Sequence, residues 1–293
     1  MKAKQNRFSF VNYFLMYLLF LGLTGCCCLT TGQKSSDQRL NLDELSKKEI
    51  QEFKLAIKET KPKVYKDKNG KVLLYRIYKP EVLKDKKYPL IIFLHGSGEN
   101  GNDNAAQMKW SVGSIIEYTK KYDTPSFIVI PQCPEGKNDW VVYSEPFASP
   151  TPLKKNPTES LGLVMKLLKN VEKQYPVDKK RIYLIGLSAG AFATWDLLMR
   201  EPKLFAAAIP ISGGGDDQNS KMLKQIAHIP IWAFHGSKDD VVPPSMSVKM
   251  IKGIQEQGGS PSYTEYKDLK HICWNKALSD PKVLNWLFEQ KKK

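Results

Sequence analysis

Histidine is scarce in this chain, four among 293 residues, and no cluster of His, Cys and Asp has the spacing of metal ligands. Neither a metal nor a cofactor is therefore expected. The glycine-rich stretch His95-Gly96-Ser97-Gly98 is not followed by the Gly-Lys-Ser/Thr of a phosphate-cradling loop. Acidic residues are also in deficit, 30 against 45 Lys and Arg, for a formal charge of +15. The lysines are scattered over the whole chain, without a basic stripe interleaved with aromatics, so the excess reads as solvated surface rather than a nucleic-acid interface. Such a charge is compatible with attraction to anionic membrane surfaces or acidic glycans. No repeat and no low-complexity linker interrupts the chain after about residue 62, so one large domain is expected, and 42% hydrophobic content is enough to build its core.

The N-terminus reads as a processed segment. Lys2, Lys4 and Arg7 precede an apolar run from Phe8 to Leu23, broken only by Ser9, Asn12 and Gly22. That run is shorter than the about 20 residues of a comfortable membrane-spanning helix and suits a secretory h-region. Leu23-Thr24-Gly25-Cys26 follows and resembles the lipobox of bacterial lipoproteins, in which the cysteine is acylated and cleavage falls just before it. The resemblance implies a signal peptide over residues 1–25, a lipid anchor on Cys26, and a protein held on a bacterial membrane facing the periplasm or the exterior. Residues 26–62 then read as a polar tether plus an amphipathic helix. Leu42, Leu45, Ile50, Phe53 and Ile57 form the helix's apolar stripe, and Asp43 or Asn41 is its cap.

Residues 63–293 alternate strand-like and helical patterns, which implies crossover units and a mostly parallel sheet with helices on both faces. Asp67-Lys68-Asn69-Gly70 between Val64-Tyr65 and Val72 to Tyr78 predicts an N-terminal β-hairpin. The apolar runs Pro89 to Leu94, Phe127 to Ile130, Ile182 to Ile185, Ala206 to Ile211, Pro230 to Phe234 and Tyr263 to Tyr266 predict strands. Leu161, Val164, Leu167, Leu168 and Val171 mark one helix, and Met246 to Gln255 another.

The most informative stretch is Arg181 to Arg200, where a buried strand, a serine bracketed by glycines and a helix follow without a linker. A nucleophile elbow has this layout. Its serine sits in a strained turn, so the positions two before and two after it must lack bulk, as Gly186 and Gly190 do around Ser188. Phe192, Trp195, Leu198 and Met199 supply the packed face of the helix. A serine nucleophile needs an imidazole base held in one tautomer by a carboxylate. Asp239, just past a strand end, is the carboxylate, with Asp240 as the alternative, and His271 after the last strand is the base. His95 and His235 each precede a glycine at a strand end and His228 lies in a loop; His95 reads as a loop brace. The backbone N–H of Ala189 and that of Ser97 or Gly98 are the expected donors to an oxyanion. Trp140 and Trp274 are the candidates for walls of a substrate pocket. Cys133 and Cys273, in loops expected near the site, either pair as a disulfide or remain two buried thiols.

The order Ser188, Asp239, His271 is that of α/β-hydrolases. The surrounding motifs carry a closer resemblance. His95-Gly-Ser-Gly-Glu, Pro131-Gln-Cys-Pro with Trp140, Gly186-Leu-Ser-Ala-Gly with Thr194-Trp195-Asp196, Gly213-Gly-Gly-Asp, His235-Gly with Asp239 and Val242-Pro243, and His271 with Trp274 together resemble the extracellular esterase-like hydrolases. These are related to dienelactone hydrolase and to phospholipase/carboxylesterase proteins, and are often labelled predicted peptidases. The resemblance runs from about residue 63 to the C-terminus. It implies an α/β-hydrolase fold and esterase activity on small acyl or feruloyl groups, commonly in polysaccharide breakdown. Ala189, Ala191 and Ser212 replace the Met, Gly and Cys often found in that family, and these departures touch the acyl pocket. Two other readings remain open: a prolyl-oligopeptidase-type peptidase, for which the chain lacks the length of a propeller lid, and a noncatalytic glycan-binding lipoprotein.

Overall fold

In a computed structural model, residues 45–136, 139–142 and 151–292 are described, and all of them belong to one compact unit. The signal segment, Cys26, the polar tether and the expected caps Asn41 and Asp43 lie outside the described residues.

The expected sheet forms, with eight strands in the order β1-β2-β4-β3-β5-β6-β7-β8. These are β1 (Lys61–Lys66), β2 (Val72–Tyr78), β3 (Tyr88–Leu94), β4 (Phe127–Pro131), β5 (Val177–Leu187), β6 (Ala207–Ile211), β7 (Trp232–Gly236) and β8 (Ser262–Tyr266). β1 and β2 are the predicted hairpin, and β2 also runs antiparallel to β4; every other pairing is parallel. The hairpin turn is closed by Asp67, whose Oδ1 accepts from the N–H of Asn69 (2.8 Å) and Lys71 (3.0 Å), while Gly70 takes the positive φ of 81°.

The central strands are apolar on both faces because each builds two cores at once. Leu90, Ile92 and Leu94 of β3 point into one, and Ile91 and Phe93 into the other. β5 divides likewise, with Ile182 and Leu184 on the first side and Tyr183, Ile185 and Leu187 on the second. The first layer is completed by α3 (Glu159–Gln174), α4 (Ala189–Arg200), α5 (Ser220–Ile226) and α6 (Ser245–Glu256), and the second by α1 (Lys47–Glu59), α2 (Val112–Lys121), α7 (Trp274–Ser279) and α8 (Pro281–Glu289).

Helix α1 corrects two expectations. Its cap is Ser46, in a reciprocal capping box with Glu49, because Ser-x-x-Glu satisfies two of the helix's free N–H groups at once. The helix also packs against β2 and α2, so the folded body begins before residue 63, its expected start. Buried Arg76 of β2 donates from Nε to Thr60 Oγ1 (2.8 Å) and from Nη2 to the carbonyls of Ile57 (2.9 Å) and Thr60 (3.2 Å), tying down the helix's C-terminal end. At Gly113 of α2 a Cβ would fall 2.3 Å from the Glu52 carbonyl oxygen, so the two helices meet backbone to backbone.

Candidate active site

Parallel strands end on the same edge of a sheet, and ligand sites of open α/β folds gather there. That edge carries the loop after β3, the serine after β5, the acid after β7 and the histidine loop after β8.

Ser188 joins β5 to α4 with φ 50° and ψ −116°, a conformation that costs on the order of 1–3 kcal/mol and persists only when its surroundings hold it. They do so through β6, where the Ile211 carbonyl accepts from Ser188 N–H (2.9 Å), and through α4, where the Ser188 carbonyl accepts from Ala191 (2.8 Å) and Phe192 (3.1 Å). The bracketing glycines are dictated by contact. A Cβ at Gly190 would sit 2.1 Å from the Leu94 carbonyl oxygen, and one at Gly186 2.1 Å from that of Gly190. Gly190→Ala is therefore expected to force the elbow away from β3, an overpacking cost of about 1–3 kcal/mol or more that a lowered melting temperature would report.

The structure brings Ser188, Asp239 and His271 into one line. His271 Nε2 lies 2.8 Å from Ser188 Oγ, and His271 Nδ1 lies 2.8 Å from Asp239 Oδ2. Nδ1 faces a carboxylate, so it bears the hydrogen; the Nε2 lone pair is left to accept from the serine hydroxyl. Asp240, the alternative acid, is instead paired with Lys270 (2.7 Å) at the surface. Asp239 is fully buried at its side chain. Burial alone would raise its pKa, but the hydrogen bonds from His235 and His271 and from backbone N–H groups outweigh it and hold the carboxyl well below the usual range. Its Oδ1 accepts from Val241 and Val242 N–H, both at 2.9 Å.

The histidine loop is held by Ser212 at the end of β6, whose hydroxyl donates to the His271 carbonyl (3.0 Å) and lies 3.2 Å from Cys273 Sγ. Cys273 and Cys133 are separate buried thiols, not a disulfide. Burial pushes them up to about 11 and about 12 respectively, so neither supplies a thiolate near neutral pH.

The loop after β3 runs beside the elbow: a Cβ on Gly96 would be 3.5 Å from that of Ser188. Ser97–Glu99 form a 3-10 turn, and Ala189 is the first residue of α4, where N–H groups have no intrahelical acceptor. His95 braces this loop. Its Nδ1 donates to the Gly96 carbonyl (2.6 Å) and its Nε2 accepts from Cys133 N–H (2.9 Å), while burial pushes its pKa down to about 4. Trp140 is corrected by the structure. It is wholly buried, with its ring against His95 and its Nε1–H given to the His95 carbonyl (3.0 Å), and so props the loop instead of lining a pocket. Trp274 stands edge-on to the His271 ring with centroids 5.3 Å apart, and seats that imidazole.

Three residues that stand in the sequence motifs without an assigned role contribute here: His235, Gln132 and Glu99. Gln132 ties the loop together by donating from Nε2 to Asp103 (2.7 Å) and the Glu99 carbonyl (3.3 Å). Glu99 is buried beside Gly96 and accepts from Trp110 Nε1 at 2.8 Å; burial pushes its pKa up to about 7. A raised carboxyl keeps its proton in the folded state while the unfolded chain has lost it. Between the ordinary carboxylate value and about 7 the folded state thus binds more protons, and stability falls as pH rises through that window. The melting-temperature difference between Glu99→Gln and wild type is expected to shift in the variant's favour as pH rises from 5 to 8; a pH-independent difference would contradict the assignment.

A family model described as phospholipase/carboxylesterase matches residues 80–284. A solved thermostable esterase superposes with a TM-score of 0.73 at 35% identity, over 81% of this chain and 64% of its own. A bifunctional acetylxylan esterase/xylanase of Neocallimastix patriciarum is 25% identical over 69% of this chain and 27% of its own length. A poly(3-hydroxyalkanoate) depolymerase of Paucimonas lemoignei is 31% identical over 43% of this chain and 28% of its own. The chain thus spans little more than a quarter of those last two proteins. With the family model covering most of the described body and its elbow, acid and histidine standing in the order the fold requires, the chain belongs to the phospholipase/carboxylesterase family of α/β-hydrolases.

Proposed function

We propose that the chain is a serine carboxylesterase working through an acyl-enzyme, and the observation that carries this reading is the continuous line from Ser188 Oγ through His271 to Asp239, 2.8 Å at each step. His271 Nε2 takes the Ser188 proton as Oγ attacks the ester carbonyl. The tetrahedral oxyanion is met by the N–H groups of Ala189 and of Ser97 or Gly98, each such donor being worth roughly 3 kcal/mol to the transition state. His271 then gives its proton to the departing alcohol, and a water activated by the same nitrogen releases the acid. Asp239 stays ionised throughout and stabilises the imidazolium.

The substrate class we favour is small acyl esters, acetyl or feruloyl, carried on polysaccharide. Its support is the motif resemblance together with similarity to a protein named for acetylxylan. The order of basic, apolar, small residue and cysteine at the N-terminus supports a lipid anchor on Cys26 and a place outside the cytoplasm. The test is a panel of p-nitrophenyl acetate, methyl ferulate, longer-chain p-nitrophenyl esters, acetylated xylan and a peptide p-nitroanilide. Short-chain or feruloyl esters should be turned over with the highest kcat/KM. Preference for the anilide would replace the esterase reading by a peptidase one.

A further inference from the structure

The Asp239 carboxylate receives two imidazoles, not one. His235 Nε2 lies 3.0 Å from the same Oδ2 that His271 Nδ1 approaches at 2.8 Å. Both the His235 and the Asp239 side chains are fully buried. Nε2 of His235 faces only acceptors, Asp239 Oδ2 and the Val242 carbonyl (3.0 Å), so it bears a hydrogen and donates. Its Nδ1 lies 2.8 Å from Ser247 Oγ on α6, and that oxygen lies 2.7 Å from the Gly213 carbonyl after β6. Gly213 rests on the elbow: a Cβ there would stand 2.6 Å from Ala191 Cβ and 3.1 Å from the Ser188 carbonyl oxygen. A buried line of polar contacts thus runs from the triad's acid back to the turn that carries the nucleophile, with the one Ser247 hydroxyl hydrogen given either to His235 Nδ1 or to the Gly213 carbonyl.

Resting on the esterase reading, we propose that His235 is a positioning residue of the triad. It holds Oδ2 against His271 Nδ1 while Val241 and Val242 hold Oδ1, so the carboxylate can neither rotate nor withdraw. Its neighbour Gly236 packs against the histidine loop, where a Cβ would come within 2.2 Å of the Lys270 carbonyl oxygen, so the end of β7 registers acid and base together. A buried histidine serving only the core would satisfy its ring nitrogens without touching the reacting line. This one spends its donor on the group that orients the base.

The experiment compares kcat and KM for p-nitrophenyl acetate across full-length wild type, Ser188→Ala, His235→Leu, His235→Gln and Ser247→Ala, with melting temperatures for each. His235→Leu is expected to lower kcat roughly 10- to 100-fold with little change in KM, as loss of a hydrogen bond to a buried charge implies. His235→Gln, whose amide presents an N–H where Nε2 was, should recover kcat to within about fivefold of wild type. Ser247→Ala should lower kcat by about threefold or more, again at constant KM. Wild-type turnover abolished by Ser188→Ala establishes the esterase reading separately. Given that, a folded His235→Leu enzyme with wild-type kcat, a His235→Gln enzyme no better than His235→Leu, or an unaffected Ser247→Ala enzyme overturns the role of His235. Should His235→Leu fail to fold, the Ser247→Ala result decides alone.

Discussion

Ser188→Ala is expected to lower kcat for p-nitrophenyl acetate by on the order of 10⁶, with the melting temperature close to wild type. The size of the effect follows from the hydroxyl's position as the atom that forms the acyl bond, so no neighbouring group substitutes for it. Stability is spared because the hydroxyl's hydrogen bond is made to His271, whereas the strained turn is held by backbone: Ile211 accepts from Ser188 N–H, and Ala191 and Phe192 donate to its carbonyl. Alanine keeps all three. Water is then the best nucleophile left, and whatever rate remains comes from the N–H groups of Ala189 and the loop at Ser97 and Gly98. Turnover at the wild-type rate by a folded Ser188→Ala protein would remove the serine mechanism altogether.

Asp239→Asn is the second large effect, a fall in kcat of about 10⁴. The usual reason is tautomeric, since an amide N–H facing His271 Nδ1 would turn the imidazole's hydrogen toward Ser188. The arrangement here adds a stricter one. Both carboxylate oxygens accept two hydrogen bonds, Oδ1 from Val241 and Val242 N–H and Oδ2 from His271 and His235. An amide presents an acceptor at only one of these places, so either orientation sets an NH₂ group against two donors. If the amide nitrogen meets Val241 and Val242, the turn after β7 opens and stability drops. If it meets the imidazoles, the base is lost. The measurement is kcat together with melting temperature, and a loss much smaller than 100-fold without destabilisation would show that Asp239 is not the group orienting His271.

Much of this arrangement is legible in the sequence because the chemistry demands particular residues at fixed offsets. The glycines at 186 and 190 announce the elbow since any side chain there would strike Leu94 or Gly190 backbone, and the fully apolar β3, β4 and β6 announce a sheet covered on both faces. The helix starts are less direct: the apolar stripe from Leu42 points to Asn41 or Asp43 although Ser46 with Glu49 caps α1, and Asp280 before Pro281 caps α8, a helix outside the expected elements. Other features are not readable from pattern. His235-Gly236 has the same letters whether its imidazole is a core packer or a partner of Asp239; only the crossing of β7 with the histidine loop decides. Trp140 looks like a loop aromatic free to meet a ligand, and its burial depends on His95, far away in the chain, offering a carbonyl to its indole. Cys133 and Cys273 are each near the site, but pairing is a matter of distance between loops whose paths the sequence does not give.

The most direct test of the central claim is covalent. Full-length protein treated with a fluorophosphonate probe and analysed by intact-mass and peptide mass spectrometry should gain one adduct, on Ser188, at a rate reduced by prior incubation with a good ester substrate; Ser188→Ala should gain none. No adduct on the folded wild-type chain, or one that persists at another residue in Ser188→Ala, would contradict the account.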